Sequence, residues 1–178
     1  MVLTGLEILN QINIGNIEIS DFDEKRLNPN SYNLRLHDEL KIYDIDFHQE
    51  LDMKRKDHPL KSFVIPDSGF ILLPGIVYLG RTFETTRTIG FVPQIQGRSS
   101  IGRLGIDVHK TAGWGDNGFS NYWTLEIVAT QPVKIYPFVE FCQIIYMSMQ
   151  GDPSMVYNGK YQNTGQIDSS KIYEEFNR

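Results

Sequence analysis

Apolar residues in this chain recur at even spacing within short runs, and glycine or proline closes most of those runs. Alternate residues of a strand share a face, so this spacing predicts half-buried strands rather than amphipathic helices. After the Asp-rich stretch near Asp21 and the turn former Pro29, Leu34, Leu36, Leu40 and Ile42 alternate with polar residues and predict a first strand. From Ser62 onward, Pro66, Gly69, Pro74, Gly80, Gly90 and Pro93 punctuate further apolar runs. Strands are predicted over 70–73, 76–79, 106–109, 123–130, 133–136 and 141–149, with no helical period between them. An all-β sandwich or barrel follows.

Two ends break the pattern. Thr4-Gly5-Leu6-Glu7 has the form of a capping box, and Leu6, Ile8, Leu9 and Ile12 supply the apolar stripe of a short helix before Gly15. Residues 151–178 are rich in polar and turn residues, with Ile172, Tyr173 and Phe176 as anchors for a short terminal helix, and read as an ordered tail or a lid. The charged segment 48–59 lacks an apolar period and is expected to be a surface loop.

Composition narrows the picture. A length of 178 residues buries one proper core and is short for two ordinary domains, so a single domain over 1–178 is expected. The 40% hydrophobic and 22% charged fractions are those of a soluble globular protein, and no apolar run approaches the roughly 20 residues of a membrane helix. The first ten residues lack the basic and small-residue regions of a signal peptide, which points to the cytoplasm and away from a membrane. A net charge of −5 argues against a nucleic-acid polymer as partner, whereas a small anion needs only a local cationic pocket. Cys142 is the one cysteine. It removes intrachain disulfides and multi-thiolate zinc sites, and its apolar neighbours make it a small buried hydrophobe. The four histidines, His37, His48, His58 and His109, form no close metal-ligand spacing.

Three segments carry candidate chemistry. Gly97-Arg98-Ser99-Ser100-Ile101-Gly102-Arg103-Leu104-Gly105 combines close backbone approach, hydroxyl donors and two guanidiniums that can fork onto oxyanions, or else forms a turn with solvated arginines. It lacks the spacing of the P-loop, so a P-loop ATPase is disfavoured. In His109-Lys110-Thr111-Ala112-Gly113-Trp114-Gly115-Asp116-Asn117-Gly118-Phe119, Asp116 can orient a water or a metal-bound phosphate, or Asp-Asn-Gly simply turns the chain. In Trp123-Thr124-Leu125-Glu126-Ile127-Val128, Glu126 falls on the face opposite the bulkiest apolar residues. Lining a pocket, desolvation would raise its pKa and suit it to carry protons; facing water, it is a polar strand residue.

In order and spacing, the 97–105 run, Thr111-Ala112-Gly113-Trp114-x-Asp116-x-Gly118-Phe119 and Thr124-Leu125-Glu126 resemble the dCTP deaminases of the dUTPase-like superfamily, including the bifunctional deaminase-dUTPases. Asn28-Pro29-Asn30-Ser31-Tyr32-Asn33-Leu34-Arg35-Leu36 and Leu73-Pro74-Gly75 resemble that family's early strands, and Gly159-Lys160-Tyr161-Gln162 its C-terminal nucleotide-binding segment. The resemblance implies a distorted, jelly-roll type β-barrel with an N-terminal helix and a nucleotide-binding tail over 151–178, assembled as a homotrimer with active sites between subunits. By motif matching it implies Glu126 as general base, with Ser99 and Arg103 positioning the reacting centre. Arg98, Ser100, Ile101 and Gly102 would contact the triphosphate, Asp116 the sugar, and Thr124 and Leu125 the base through their backbone. Gln143, Tyr157, Lys160 and Gln162 would complete the pocket.

The implied reaction is hydrolysis of dCTP to dUTP and ammonia, with Mg2+ accompanying the triphosphate and no zinc. The zinc nucleobase deaminases need a pair of cysteines that this chain lacks. Alternatives are a bifunctional reaction to dUMP and pyrophosphate, dUTP hydrolysis alone, and a silent nucleotide-binding regulator; dUTP and dTTP are further expected ligands. Ala112-Gly113-Trp114 looks more like the bifunctional relatives than the deaminases with a basic residue at the Trp114 position. Asn163-Thr164-Gly165-Gln166-Ile167-Asp168-Ser169-Ser170 departs from the family's Gly-Pro-Thr-like lid, and Asn117 stands where proline is common.

Overall fold

The computed structural model describes residues 1–46 and 49–176; His48, the first residue of the expected loop, and residues 177–178 of the tail lie outside them. In chain order the elements are α1 (Gly5–Asn13), β1 (Ile17–Ile19), a 3-10 turn (Glu24–Arg26), β2 (Leu27–Asn28), β3 (Ser31–Arg35), β4 (Glu39–Tyr43), β5 (Leu60–Val64) and β6 (Phe70–Leu72). They continue with β7 (Tyr78–Thr88), β8 (Phe91–Gly97), α2 (Ser99–Gly102), β9 (Ile106–Asp107), β10 (Ser120–Ala129), β11 (Val133–Ile135), β12 (Glu140–Ser148) and a terminal 3-10 turn (Ile172–Glu175).

Helix α1 starts where its cap demands. The Thr4 hydroxyl accepts the Glu7 N–H at 3.2 Å, while the Glu7 carboxylate accepts from the Gln11 amide, so half of the expected capping box forms. Gly15, at φ +82°, takes the left-handed conformation that ends the helix, and Ile8 is fully buried beneath it.

The strands are antiparallel and form three sheets around one core. One sheet runs β5-β4-β7-β10-β9 with β1 also paired to β7, a second runs β2-β3-β12-β8, and β11 pairs with β6. The all-β expectation holds, as an open, distorted barrel whose ladders do not join into one closed cylinder among the described residues.

The predicted strand across Leu34 to Ile42 is two strands in different sheets. The chain turns at Leu36, whose N–H donates to the Val139 carbonyl at 3.0 Å and whose carbonyl accepts the Phe138 N–H at 2.8 Å. Leu34, Leu36 and Leu40 are all fully buried, so the corner wraps one core and preserves the even spacing of a single strand.

The long β7 strand carries the largest departure. Of its eleven residues only Tyr78 and Leu79 fall in a predicted run, because past Gly80 the inward face reads Thr82, Glu84, Thr86 and Thr88, all buried. Three of these side chains, Thr82, Glu84 and Thr86, are hydrogen-bonded. Thr82 and Thr86 hydroxyls accept the Trp123 backbone N–H at 3.0 Å and the indole N–H at 2.8 Å. Glu84, fully buried, accepts from the Arg35 backbone N–H at 2.9 Å, from Arg35 Nε at 2.7 Å and from the Arg26 guanidinium. An ion group replaces the apolar pattern there, which is why alternation failed to reveal the strand.

Cys142 is fully buried, and burial pushes its thiol pKa up, in keeping with a core hydrophobe. Beyond Ser148 the described residues of the tail form no strand, yet Ile167 and Asp168 are buried, so this segment packs on the barrel.

Candidate active site

Strand β10 alternates strictly between core and cleft. Trp123, Leu125 and Ile127 pack inward, leaving Tyr122, Thr124 and Glu126 on the opposite face. That face forms one wall of a cleft of about 620 Å3. Cross-strand pairing sets Leu79 of β7 beside Glu126 and Arg81 beside Thr124. Leu79 lines the cleft, and the Arg81 guanidinium lies 4.1 Å from the centre of the Tyr122 ring.

Residues 110–119 form the adjoining wall. The Lys110 backbone N–H donates to Glu126 Oε2 at 2.9 Å, which fixes the carboxylate at the cleft. Gly113 is dictated by packing: a Cβ there would lie 2.6 Å from the Ile95 carbonyl oxygen. Trp114 stays largely exposed at the cleft, and Asp116 lines it. Phe119 closes the wall, its ring 4.8 Å from Trp123 and 5.8 Å from Tyr157.

The predicted site residues fall into separate groups. Glu126, Thr124, Asp116 and Tyr157 come together at the cleft, while the Leu125 side chain belongs to the core. The Arg98–Arg103 run lies elsewhere, with Ser99, Ser100, Ile101 and Gly102 forming α2 and Arg103 capping it by donating its N–H to the Ser99 carbonyl at 3.1 Å. Arg98 is committed to Glu140, reaching its carboxylate at 3.0 Å and its carbonyl at 2.6 Å. Gln143 sits beside that run, accepting from the Ser31 hydroxyl at 2.7 Å and donating to the Gly97 carbonyl at 3.0 Å. Gln162 bridges the tail to β10, accepting from the Ser120 N–H at 2.9 Å and donating to the Gly118 carbonyl at 2.8 Å. Lys160 pairs with Glu175 at 2.9 Å, and this hydrogen bond is the leading cause that raises its pKa.

Sequence reasoning missed several lining residues. Tyr43, Tyr122, Asp168 and Ser170 reach the cleft from distant segments, and only Tyr122 has a local signal, its alternation with Trp123. The cleft is electrostatically lopsided. Its described lining holds three carboxylates, Asp116, Glu126 and Asp168, and a single cation, Lys110. Among the described residues no group of three or more His, Cys, Asp or Glu side chains gathers in metal-binding geometry.

A family model described as dCTP deaminase-like matches residues 2–149. The chain is 52% identical over 178 residues to the "dCTP deaminase, dUMP-forming" of Clostridium beijerinckii, covering 100% of both. It is 50% identical to the protein of that name from Leptospira biflexa, over 100% of this chain and 99% of that one. With the crystal structure of 2'-deoxycytidine 5'-triphosphate deaminase from Agrobacterium tumefaciens it shares a TM-score of 0.63 at 20% identity, over 82% of this chain and 47% of that one, a likeness of fold.

Proposed function

Because this chain belongs to the dCTP deaminase-like family, we propose that its cleft deaminates dCTP and goes on to release dUMP and pyrophosphate. The placement of Glu126 carries this reading: a carboxylate on the cleft wall, with one oxygen held by the Lys110 N–H at 2.9 Å. The second step draws on the name shared by relatives about half identical to this chain, and on their full-length match.

In the first step Glu126 accepts a proton from water as the water oxygen bonds to C4 of cytosine. The C4–N4 bond then breaks. One water proton ends on the departing ammonia and the other on N3, so dCTP and water give dUTP and ammonia. A carboxylate suits this shuttle, and the zinc route of other nucleobase deaminases needs a cysteine pair where this chain has only buried Cys142. In the second step another water attacks the α-phosphorus, with Asp116 aligning it, and the bond to the β-phosphate oxygen breaks. Mg2+ carried in on the triphosphate would supply charge stabilisation for the leaving pyrophosphate.

One chain leaves the site incomplete for a triphosphate. Among the described cleft-lining residues Lys110 alone is cationic, while Arg98 and Arg103 lie outside the cleft. This supports a homotrimer in which the run from Arg98 to Arg103 of one subunit completes the cleft of the next, Ser99 and Arg103 ordering the reacting centre and Arg98, Ser100, Ile101 and Gly102 the phosphates. Gln143 belongs with that run, and Tyr157, Lys160 and Gln162 with the tail that closes over the nucleotide. The same pocket would take dUTP and dTTP, and the net charge of −5 opposes a nucleic-acid polymer. Among the described residues no helix is long and apolar enough to cross a membrane, and we place the reaction in the cytoplasm.

Incubation with dCTP and Mg2+, followed by separation of all nucleotides, tests the reading. Ammonia, dUMP and pyrophosphate in equal amounts are expected. Accumulation of dUTP alone would remove the second step, hydrolysis of dUTP without turnover of dCTP would leave a dUTPase, and binding without turnover of either would leave a regulator.

A further inference from the structure

The C-terminal strap is tied to the barrel by the side chains of Asn117, Asn121 and Thr124, of which Asn121 and Thr124 line the cleft. Asn117, nearly buried, donates to the Pro153 and Met155 carbonyls at 2.8 and 3.1 Å and accepts the Gly90 N–H at 2.8 Å. Asn121 donates to the Tyr161 carbonyl at 3.0 Å and the Thr164 hydroxyl at 2.7 Å, and accepts the Gly165 N–H at 3.1 Å. Thr124 takes the last hold: its hydroxyl accepts the Asp168 N–H at 3.2 Å.

Asp168 is the hub of the strap's own bonding. Its side chain is 6% exposed, one oxygen meets Lys171 Nζ at 3.0 Å, and the other accepts from the Thr164 hydroxyl. Lys171 then donates to the Lys160 carbonyl at 2.7 Å, and Lys160 donates to the Lys171 carbonyl at 3.2 Å. The Asp168 carboxylate therefore gathers the segment 160–171 into one folded unit, and its backbone N–H fastens that unit to the cleft wall.

We propose that Asp168 is a positioning residue that latches the strap across the cleft, with Thr124 as its catch. The proposal rests on the cleft being the dCTP site. Both Asp168 oxygens are engaged within the strap, so the carboxylate acts through the strap and not on the reacting atoms. Thr124 stands two residues from Glu126 on the same face of β10, about 7 Å along the strand. A base lying between them meets the strap's attachment point, so seating of the strap and binding of the nucleotide favour each other. A strap seated only a fraction of the time raises the apparent dissociation constant by the inverse of that fraction and leaves turnover of the closed complex alone.

The test uses Asp168→Ala, Asp168→Asn, Thr124→Val and Thr124→Ser in the full chain. Asp168→Ala is expected to raise the KM for dCTP about tenfold with kcat within about twofold, and Thr124→Val to raise KM and to speed strap cleavage in the same direction. Thr124→Ser, which keeps the acceptor, restores KM, and Asp168→Asn, which keeps the neutral hydrogen bond and loses the ion pair, falls between. Without nucleotide, trypsin cuts after Lys160 and Lys171 faster in Asp168→Ala, while cleavage in the barrel and the melting temperature stay near native. Unchanged KM and strap cleavage in both Asp168→Ala and Thr124→Val would overturn the latch. A collapse of kcat at constant KM would overturn it too, by moving Asp168 into the chemistry. If Asp168→Ala fails to fold, Asp168→Asn and Thr124→Val give the same readings. Native protein that leaves dCTP untouched sinks the proposed function, whereas strap cleavage without nucleotide still reads the latch.

Discussion

Removing the Glu84 carboxylate exposes the energetic weight of the barrel's polar interior. Glu84 is fully buried and bonds to two guanidiniums, Arg26 with a side chain 9% exposed and Arg35 with one 22% exposed. Glu84→Ala leaves the Arg26 charge in a desolvated position with the Asp21 carbonyl, a longer contact to the half-exposed Asp21 carboxylate and the Tyr32 ring. It also orphans the Arg35 backbone N–H. Breaking a buried pair from one side costs about 3 to 5 kcal/mol. For a domain of this size each kcal/mol lowers the melting temperature by roughly 2 to 4 °C, giving an expected fall of about 6 to 20 °C. Thermal unfolding at fixed protein concentration, followed by circular dichroism, measures it, because association would make the midpoint concentration-dependent. Glu84→Gln serves as a second probe: it keeps the size, but its NH2 opposes the arginine donors, so it should recover little of the loss. A melting temperature within about 2 °C of native in Glu84→Ala would refute the reasoning and show that water or Asp21 compensates both arginines.

Other perturbations address the site and the core. Glu126→Gln should lower kcat by about 10^2 to 10^4 with the fold and nucleotide binding retained, since the amide oxygen can still accept the Lys110 N–H while losing the basic site; steady-state kinetics beside nucleotide titration decides, and near-native turnover would remove Glu126 from the base role. Arg103→Ala alone should also be inactive, yet mixing it with Glu126→Gln under subunit exchange should regain activity, because some clefts then pair a native Glu126 with a native Arg103; no recovery despite exchange argues for sites within one chain. His37 has a lowered pKa, from burial first and then from Arg81, whose Nη2 lies 2.8 Å from its Nε2. The unfolded chain thus takes up the proton first, so stability is full above about pH 6.5 and declines as pH falls below it; the native-minus-His37→Gln difference in unfolding free energy should shrink on acidification, and a constant difference from pH 8 to 5 would contradict this. Cys142 should resist a thiol reagent in the native protein and react on unfolding, as its burial and raised pKa require; rapid native labelling would show that the core opens there.

The local part of this protein was legible in its sequence. Even spacing of apolar residues marked β6, β10, β11 and β12, Thr4 and Gly15 bracketed α1, and the alternation of Trp123, Leu125 and Ile127 put Glu126 on the face opposite the core. Such features depend on neighbours within a turn or two, where the strand and helix periods act directly on side-chain direction. Tertiary structure decided the rest. The inward face of β7 is polar because Arg26 and Arg35, some fifty residues upstream, neutralise Glu84, and no local pattern announces that pairing. The corner at Leu36 depends on hydrogen bonds to Phe138 and Val139, a hundred residues on. The cleft likewise joins Tyr43, Glu126 and Asp168, whose meeting requires β4, β10 and the strap to be packed together. Periodicity tells which way a side chain points, whereas what it meets there is set by contacts distant in sequence, and the Asp168 latch on Thr124 exists only once those contacts have formed.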